Sequence, residues 1–369
     1  MKHMKASILQ ENLNNALKSV SGFVPSNPQL PILQNIYLKF TKGKAIFSAT
    51  DLSIGIYKET RAKVDEEGEI CVPFKNLSAL VNQLPAGKVD ISVKDNILSI
   101  KSEKISAEFN GVQANEFPVV VIGEKKGRVE RKIIQEIAEE VAFSAASDEA
   151  RVVLTGILIE KTDFGQRIVA TDGFRLSIKQ IKGEKLKFDE ERVIIPARFF
   201  IDIARIIPEG AELFLELDKN KKSITASWED TTISSQLIEG EFPNFEQIIP
   251  QSHTTRVLID KEELGRLVRT ASIFARESAN IIRLKIENNE LHISANSPQV
   301  GKNTSSMLVE EEGDDQKIAF NHRFLLDLLK GVDGKNLAFE VSGPLKPGVF
   351  RVSGKDDYLH IIMPVRVQD

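Results

Sequence analysis

The 369-residue chain contains one cysteine, one tryptophan and four methionines. A lone thiol, Cys71, excludes a disulfide framework and any cysteine-based zinc cluster. The five histidines, His3, His253, His292, His322 and His360, are scattered without metal-ligand spacing, so no metal or cofactor is expected. No run approaches ~18 consecutive apolar residues, which excludes a transmembrane helix. The basic start Met1-Lys2-His3-Met4-Lys5 is followed by too short an apolar stretch for a signal peptide. The second methionine, Met4, leads us to expect that residues 1–3 are either a start-site variant or a non-native extension, and we expect a soluble, cytoplasmic, non-membrane protein. No glycine-rich phosphate loop, nucleophile elbow or His-Glu-x-x-His signature occurs. Charge of one sign is also lacking. Lys and Arg number 49 and Asp and Glu 53, a net −4 that does not advertise nucleic-acid binding.

What the sequence does have is a period. Apolar residues at 41% and charged residues at 28% are an ordinary globular balance, and the length exceeds the roughly 250–300 residues one core supports. Three landmarks recur in the same order. A small-polar turn after a strand reads Ala49-Thr50-Asp51, Ala170-Thr171-Asp172 and Ala295-Asn296-Ser297, spaced 121 and 125. A strand end running into a helix reads Pro73-Phe74, Pro196-Ala197 and Asn321-His322, spaced 123 and 125. An aromatic or methionine before proline reads Phe117-Pro118, Phe242-Pro243 and Met363-Pro364, spaced 125 and 121. A period near 123 is far too long for a solenoid and marks three domain-sized units. We expect boundaries at 1–126, 127–253 and 254–369, in the polar stretches Gly123–Gly127 and Pro250–Thr254.

Each repeat carries the same coarse pattern. Helices are expected over 9–20, 131–143 and 261–275, then over 74–84, 198–207 and 322–329. In the fifth of these in chain order, Leu264, Leu267, Val268, Ala271 and Phe274 fall on one face at 3-and-4 spacing. Period-2 alternation gives strands, as in Val89–Val93 and Ile97–Ile100 around the turn Lys94-Asp95-Asn96. The fold class is therefore α+β, with two helices per repeat packed on antiparallel sheets.

Candidate chemistry is sparse. Glu310-Glu311-Glu312 is expected to be a solvated loop, and Asp172, like Asp51, a turn aspartate rather than a catalytic group. Cys71 is expected to be a buried structural thiol. Charge placement carries more information. The six helical segments together carry +4 and the rest of the chain −8, so one helical surface of an acidic protein can hold a polyanion through sequence-blind phosphate contacts.

These landmarks, with Val20-Ser21-Gly22, Leu30-Pro31-Ile32-Leu33, Arg151–Gly156, Thr171–Leu176, Glu241-Phe242-Pro243 and Ile361–Val367, make the whole chain resemble the bacterial sliding clamps, the beta subunits of DNA polymerase III. The resemblance implies three tandem repeats of the DNA-clamp domain and a head-to-tail ring dimer. Such a ring encircles duplex DNA without reading sequence, tethers the replicative DNA polymerase subunit, meets the clamp loader and other clamp-binding peptides, and performs no catalysis. The rival reading is a monomeric three-domain scaffold that never encircles DNA.

The resemblance also implies site residues. DNA contacts fall to Lys18, Lys75, Arg198, Arg205, Arg266, Arg269 and Arg276. The partner-peptide cleft falls to Leu154, Thr171, Gly173, Phe174, Arg175, Leu176, Pro243, Gln247, Ile248, Ile361, Ile362, Met363, Pro364, Val365 and Arg366. The dimer interface falls to Phe109, Ile273 and Phe274. Asn27, Val152 and Val153 depart from family positions linked to DNA-touching or aromatic side chains. Phe174 and Gln247 stand where relatives carry histidine or arginine, so the cleft should be more apolar and less cationic on that side.

Overall fold

The computed structural model describes residues 3–188, 190–218, 220 and 222–367. Met1 and Lys2, part of the segment 1–3 expected to be a start-site variant or a non-native extension, lie outside the described residues.

Local chemistry sets the elements. Three strands run directly into helices at the repeated junction: Gly68–Pro73 into Phe74–Gln83, Arg192–Pro196 into Ala197–Ile206, and Gln316–Asn321 into His322–Gly331. The Asn321 side chain caps the third, accepting from the Arg323 amide at 3.0 Å. Asp260 caps Lys261–Ala275 by accepting from the Glu263 amide at 2.9 Å. The helix Gln10–Val20 buries Leu13, Ala16, Leu17 and Val20, one face at 3-and-4 spacing. The turn between Lys88–Lys94 and Ile97–Ser102 places Asp95 and Asn96 at φ +52° and +62°, the left-handed pair of a tight hairpin.

Two expectations are corrected. The segment 131–143 is not one α-helix. Arg131–Glu136 is α-helical, and Ile137–Val141 then widens into a π-turn in which the Ala142 amide bonds the Ile137 carbonyl. There the Tyr358 hydroxyl donates to the Glu140 carbonyl at 2.9 Å, and Lys179 draws the Glu140 carboxylate inward. The acidic run is not a loop either. Glu310–Gly313 is an edge strand paired only to Thr255–Asp260, where charged side chains meet water and blunt the free edge.

Among the described residues the strands form four sheets, and every pairing is antiparallel. The chain divides into two compact units that do not follow the repeat boundaries. Two sheets are each shared by neighbouring repeats, and that is the reason.

The first unit comprises Met1–Arg131, Leu186–Phe188 and Asp202–Leu237. Its eight-stranded sheet joins the first repeat to the second where Ile54–Arg61 pairs with Thr231–Gln236. Its five-stranded sheet ends on Ile105–Asn110, the strand that carries Phe109. Cys71 is fully buried, and burial pushes its thiol up to about 12.

The second unit comprises Lys132–Lys185, Asp189–Ile201 and Ile238–Asp369. Its nine-stranded sheet joins the second repeat to the third where Arg175–Lys182 pairs with Tyr358–Ile362. Its four-stranded sheet ends on Gly301–Leu308. The core holds Phe320, Phe339 and Phe350, the last two stacked at 4.6 Å between centroids.

Candidate partner cleft and basic helix surfaces

The turn after the strand Gly165–Thr171 is built by its own side chains. Asp172 Oδ1 accepts from the amides of Phe174 at 2.8 Å and Arg175 at 3.0 Å, and Thr171 Oγ1 accepts from the Gly173 amide at 3.0 Å. Asp51 does the same for Ser53 and Ile54 at 3.0 and 2.9 Å, and Ser297 Oγ for Gln299 and Val300 at 3.3 Å. Asp172 is thus the turn aspartate expected from the repeat. Gly173 sits at φ +91°, with the Arg151 guanidinium 3.2 Å from where a Cβ would stand. That backbone turns Phe174 outward, 60% exposed.

Arg175 is the anchor of this region. Its side chain is 10% exposed. Nε bonds Asp172 Oδ2 at 3.1 Å and Nη1 bonds Asp327 Oδ2 at 2.6 Å. The guanidinium also lies over the rings of Phe324 at 4.8 Å and Phe143 at 5.4 Å. Across the seam Arg175 faces Ile362 and Leu176 faces Ile361. The C-terminal segment then continues beside the turn: the Met363 amide donates to the Phe174 carbonyl, and the Val365 amide to the Ala319 carbonyl, both at 2.8 Å.

The expected cleft residues divide by depth. Leu154, Thr171, Leu176, Ile361 and Ile362 are buried. Leu176 and Ile361 belong to a cluster with Leu158, Val169, Phe242 and Phe245, against which Val153, Ile238 and Ile249 are half-packed. Pro243, Gln247 and Ile248 lie exposed beside the buried Phe242 and Phe245, and Met363, Pro364 and Val365 are half-buried. Arg366 is exposed. The sequence reading missed Arg151, Phe143, Phe324 and Asp327, which hold the turn and Arg175. Phe143 and Phe324 carried a signal, since both belong to expected helices next to repeat landmarks.

A charged group lies under the seam. Lys179 Nζ reaches Glu140 at 2.7 Å, Asp357 at 3.2 Å and Glu136 at 3.3 Å with its side chain 4% exposed. Burial opposes its charge, but the hydrogen bond to Glu140 and the pull of Asp357 and Glu136 outweigh it and hold the ammonium above its usual value. His360 donates to or accepts from Ser177 Oγ at 2.8 Å, and burial, then Arg175, lower its pKa to about 3.

The seven basic residues are all exposed. Lys18, Lys75 and Arg205 belong to the first unit, and Arg198, Arg266, Arg269 and Arg276 to the second. Arg205 is tied to the buried Asp202 at 2.8 Å. Of the expected interface residues, Phe109 is half-buried on the edge strand Ile105–Asn110, Ile273 is 59% exposed, and Phe274 packs partly against the core of the second unit. No group of three or more potential ligands that could hold a metal occurs among the described residues.

Three family models match in chain order. They describe the DNA polymerase III beta subunit: its N-terminal domain over residues 4–121, its central domain over 128–244 and its C-terminal domain over 246–366. The beta sliding clamp of Chlamydia pneumoniae is 28% identical over 369 residues, covering 99% of this chain and 100% of its own. That of Synechococcus elongatus is 29% identical over 377 residues, with the same coverage. The crystal structure of a Pseudomonas aeruginosa sliding clamp bound to griselimycin aligns with a TM-score of 0.87 and 27% identity over 99% of this chain and 100% of that one.

Proposed function

The chain belongs to the DNA polymerase III beta subunit family, the sliding clamps that act as polymerase processivity factors, and from that premise we propose how this chain assembles and which residues serve it. Two copies close head to tail into a ring around duplex DNA, and the clamp domains divide near 126 and 253. The observation that carries the ring is a repeated seam. Within the chain, Ile54 faces Ser235 and Lys58 faces Thr231 in one seam. Arg175 faces Ile362 and Lys179 faces Tyr358 in the other. Shifted by the repeat, the two registers coincide.

Each seam joins the third strand of one half-repeat to the third strand of another. One such strand of each kind is left at a sheet edge: Gly301–Leu308 and Ile105–Asn110. Exposed edges seek partners, and a heterologous contact that closes leaves none. Transferring the register through the hairpin pairings places Gly301 opposite Phe109 and Lys302 opposite Glu108 of the second copy. Opposite charges directly across a strand pair are favourable. Ile273 and Phe274, on the helix Lys261–Ala275 of the same repeat, complete this interface.

Lys18, Lys75, Arg198, Arg205, Arg266, Arg269 and Arg276 bind the phosphate backbone without base contacts, which a sliding ring requires. The face floored by Leu176 and Ile361 and rimmed by Phe174, Pro243, Ile248 and Met363 receives short extended peptides of the polymerase, the clamp loader and other partners. An apolar floor with few polar groups suits such a ligand. No helix among the described residues is long and apolar enough to cross a membrane, and we place the protein in the cytoplasm, where the polymerase works. The protein performs no chemistry of its own. Sedimentation equilibrium tests the assembly: a mass near twice 41.1 kDa is expected, and a monomer at micromolar concentration contradicts the ring and favours a monomeric scaffold.

A further inference from the structure

The face that forms the peptide cleft in the middle repeat recurs in the third repeat with different chemistry. Two residue pairs inward from the strand-to-helix junction, Leu158 faces both Ile194 and Val169 in the middle repeat. At the same position of the third, Arg283 faces Ala319 and Ser294. Two pairs further, on the same face, Glu160 and Arg192 are replaced by Lys285 and Lys317. A cavity of about 290 Å³ opens there, with Arg283, Lys285 and Lys317 in its lining and Leu345, Val365 and Val367 as an apolar wall. Among the described residues no carboxylate lines it.

The charges are unbalanced in a way the middle repeat is not. There, Arg167 and Arg192 are matched to Glu160 at 2.5 and 3.4 Å, and Arg167 also to Glu246 at 2.8 Å. In the third repeat Lys285 touches Glu287, but among the described residues neither Arg283 nor Lys317 makes an ion pair. Lys285 and Lys317 stand directly opposite each other, an arrangement that destabilises a sheet. Three cations on one face of an acidic protein, beside exposed Leu345 and half-buried Val365, form a site suited to an anionic group that also carries aliphatic surface.

We propose that this cavity binds an acidic peptide segment, with a carboxylate against Arg283 and Lys317 and an aliphatic side chain against Leu345 and Val365. A bare inorganic anion would leave the apolar wall unused. The cavity lies over Ile281–Glu287 and Gln316–Asn321, the strands farthest from the edge Gly301–Leu308, so it stays open when that edge pairs with a second copy. The peptide class, though not the cavity or its charge, rests on reading the middle repeat's face as a peptide cleft.

The test uses the full-length protein and a fluorescein-labelled octapeptide of alternating glutamate and leucine, followed by fluorescence anisotropy. The double variant Arg283→Glu, Lys317→Glu should weaken binding at least about tenfold, the worth of one charge-assisted hydrogen bond or more. Lys317→Arg should retain the wild-type affinity, and so should the cleft variant Phe174→Asp. Both cations are exposed, and circular dichroism of each variant confirms that it folds. Weaker binding in Phe174→Asp with none in the double variant would put the peptide in the cleft. That would overturn the cavity proposal and leave the cleft reading intact. Binding indifferent to every variant would also overturn it. So would a single-stranded oligonucleotide that binds more tightly than the peptide and is released by the same double variant.

Discussion

Arg175 stands opposite Ile362 across the seam between the second and third repeats, at the register step where Ile54 stands opposite Ser235 between the first and second. The coincidence predicts a third register, the one between two copies. It gives a prediction that needs no knowledge of DNA. With Cys71 fully buried as the lone native thiol, Glu108→Cys and Lys302→Cys should form a covalent dimer on mild oxidation. Ala107→Cys with Lys302→Cys, one step out of register, should not, because successive side chains point to opposite faces. Non-reducing gel electrophoresis reads both, and equal cross-linking in the two pairs would refute the register.

The C-terminal segment should be separable from the dimer. Its amides at Met363 and Val365 bond Phe174 and Ala319 within the same unit, on elements other than the edge strand Gly301–Leu308. Deleting residues 363–369 should reduce affinity for a polymerase-derived clamp-binding peptide by about a hundredfold or more, roughly 3 kcal/mol, while the sedimentation mass is unchanged. Undiminished peptide affinity would remove the cleft assignment.

Lys179 should be needed for stability in a pH-dependent way. Lys179→Met strands the buried Glu140 carboxylate, a destabilisation of about 3–5 kcal/mol at neutral pH. Burial already pushes the Glu140 carboxyl up against the opposing pull of Lys179, and removing Lys179 raises it further. A carboxyl whose folded pKa lies above its unfolded one takes up a proton on folding, so the variant's deficit should shrink as pH falls through that raised value. In the wild type the sign is opposite at the alkaline end. Lys179 is held above its usual value, so its contribution is full below that value and fades as pH rises through the raised one. Urea unfolding across the pH range reads both, and a deficit independent of pH would contradict this account.

The basic helices should act through phosphates alone. Replacing Arg266, Arg269 and Arg276 by alanine should weaken DNA binding equally for unrelated sequences. It should also lower the slope of log affinity against log salt by about one for each phosphate no longer neutralised. A sequence-dependent change would indicate base contacts and count against a sliding ring.

Much of this was legible in the sequence because it rests on local rules. The turn residues Asp51, Asp172 and Ser297 announce the same backbone three times, and each side chain bonds the amides that the turn leaves free. The helices follow apolar spacing and Pro or Asn junctions, and five of the six expected spans lie within two residues of those found. What was hidden depends on partners distant in the chain. The π-turn at Ile137–Val141 answers to Tyr358 and Lys179, which no window around residue 140 contains. The acidic strand Glu310–Gly313 exists because Thr255–Asp260 offers it an edge. Arg283 and Lys285 alternate with Leu284 and Ile286 as any half-exposed strand does, and only the register beside Lys317 reveals a cationic cavity. The cleft residues came from family resemblance. Burial then sorts them into floor and rim, a distinction that a position in a motif does not carry.

The central claim, a ring that holds DNA by topology, is tested most directly by retention after loading. The protein is loaded by its clamp loader onto nicked circular DNA, and half of the sample is then linearised with a restriction enzyme before gel filtration in high salt. The account predicts that the protein stays with the circles and slides off the linear molecules. Equal retention on both forms would contradict it.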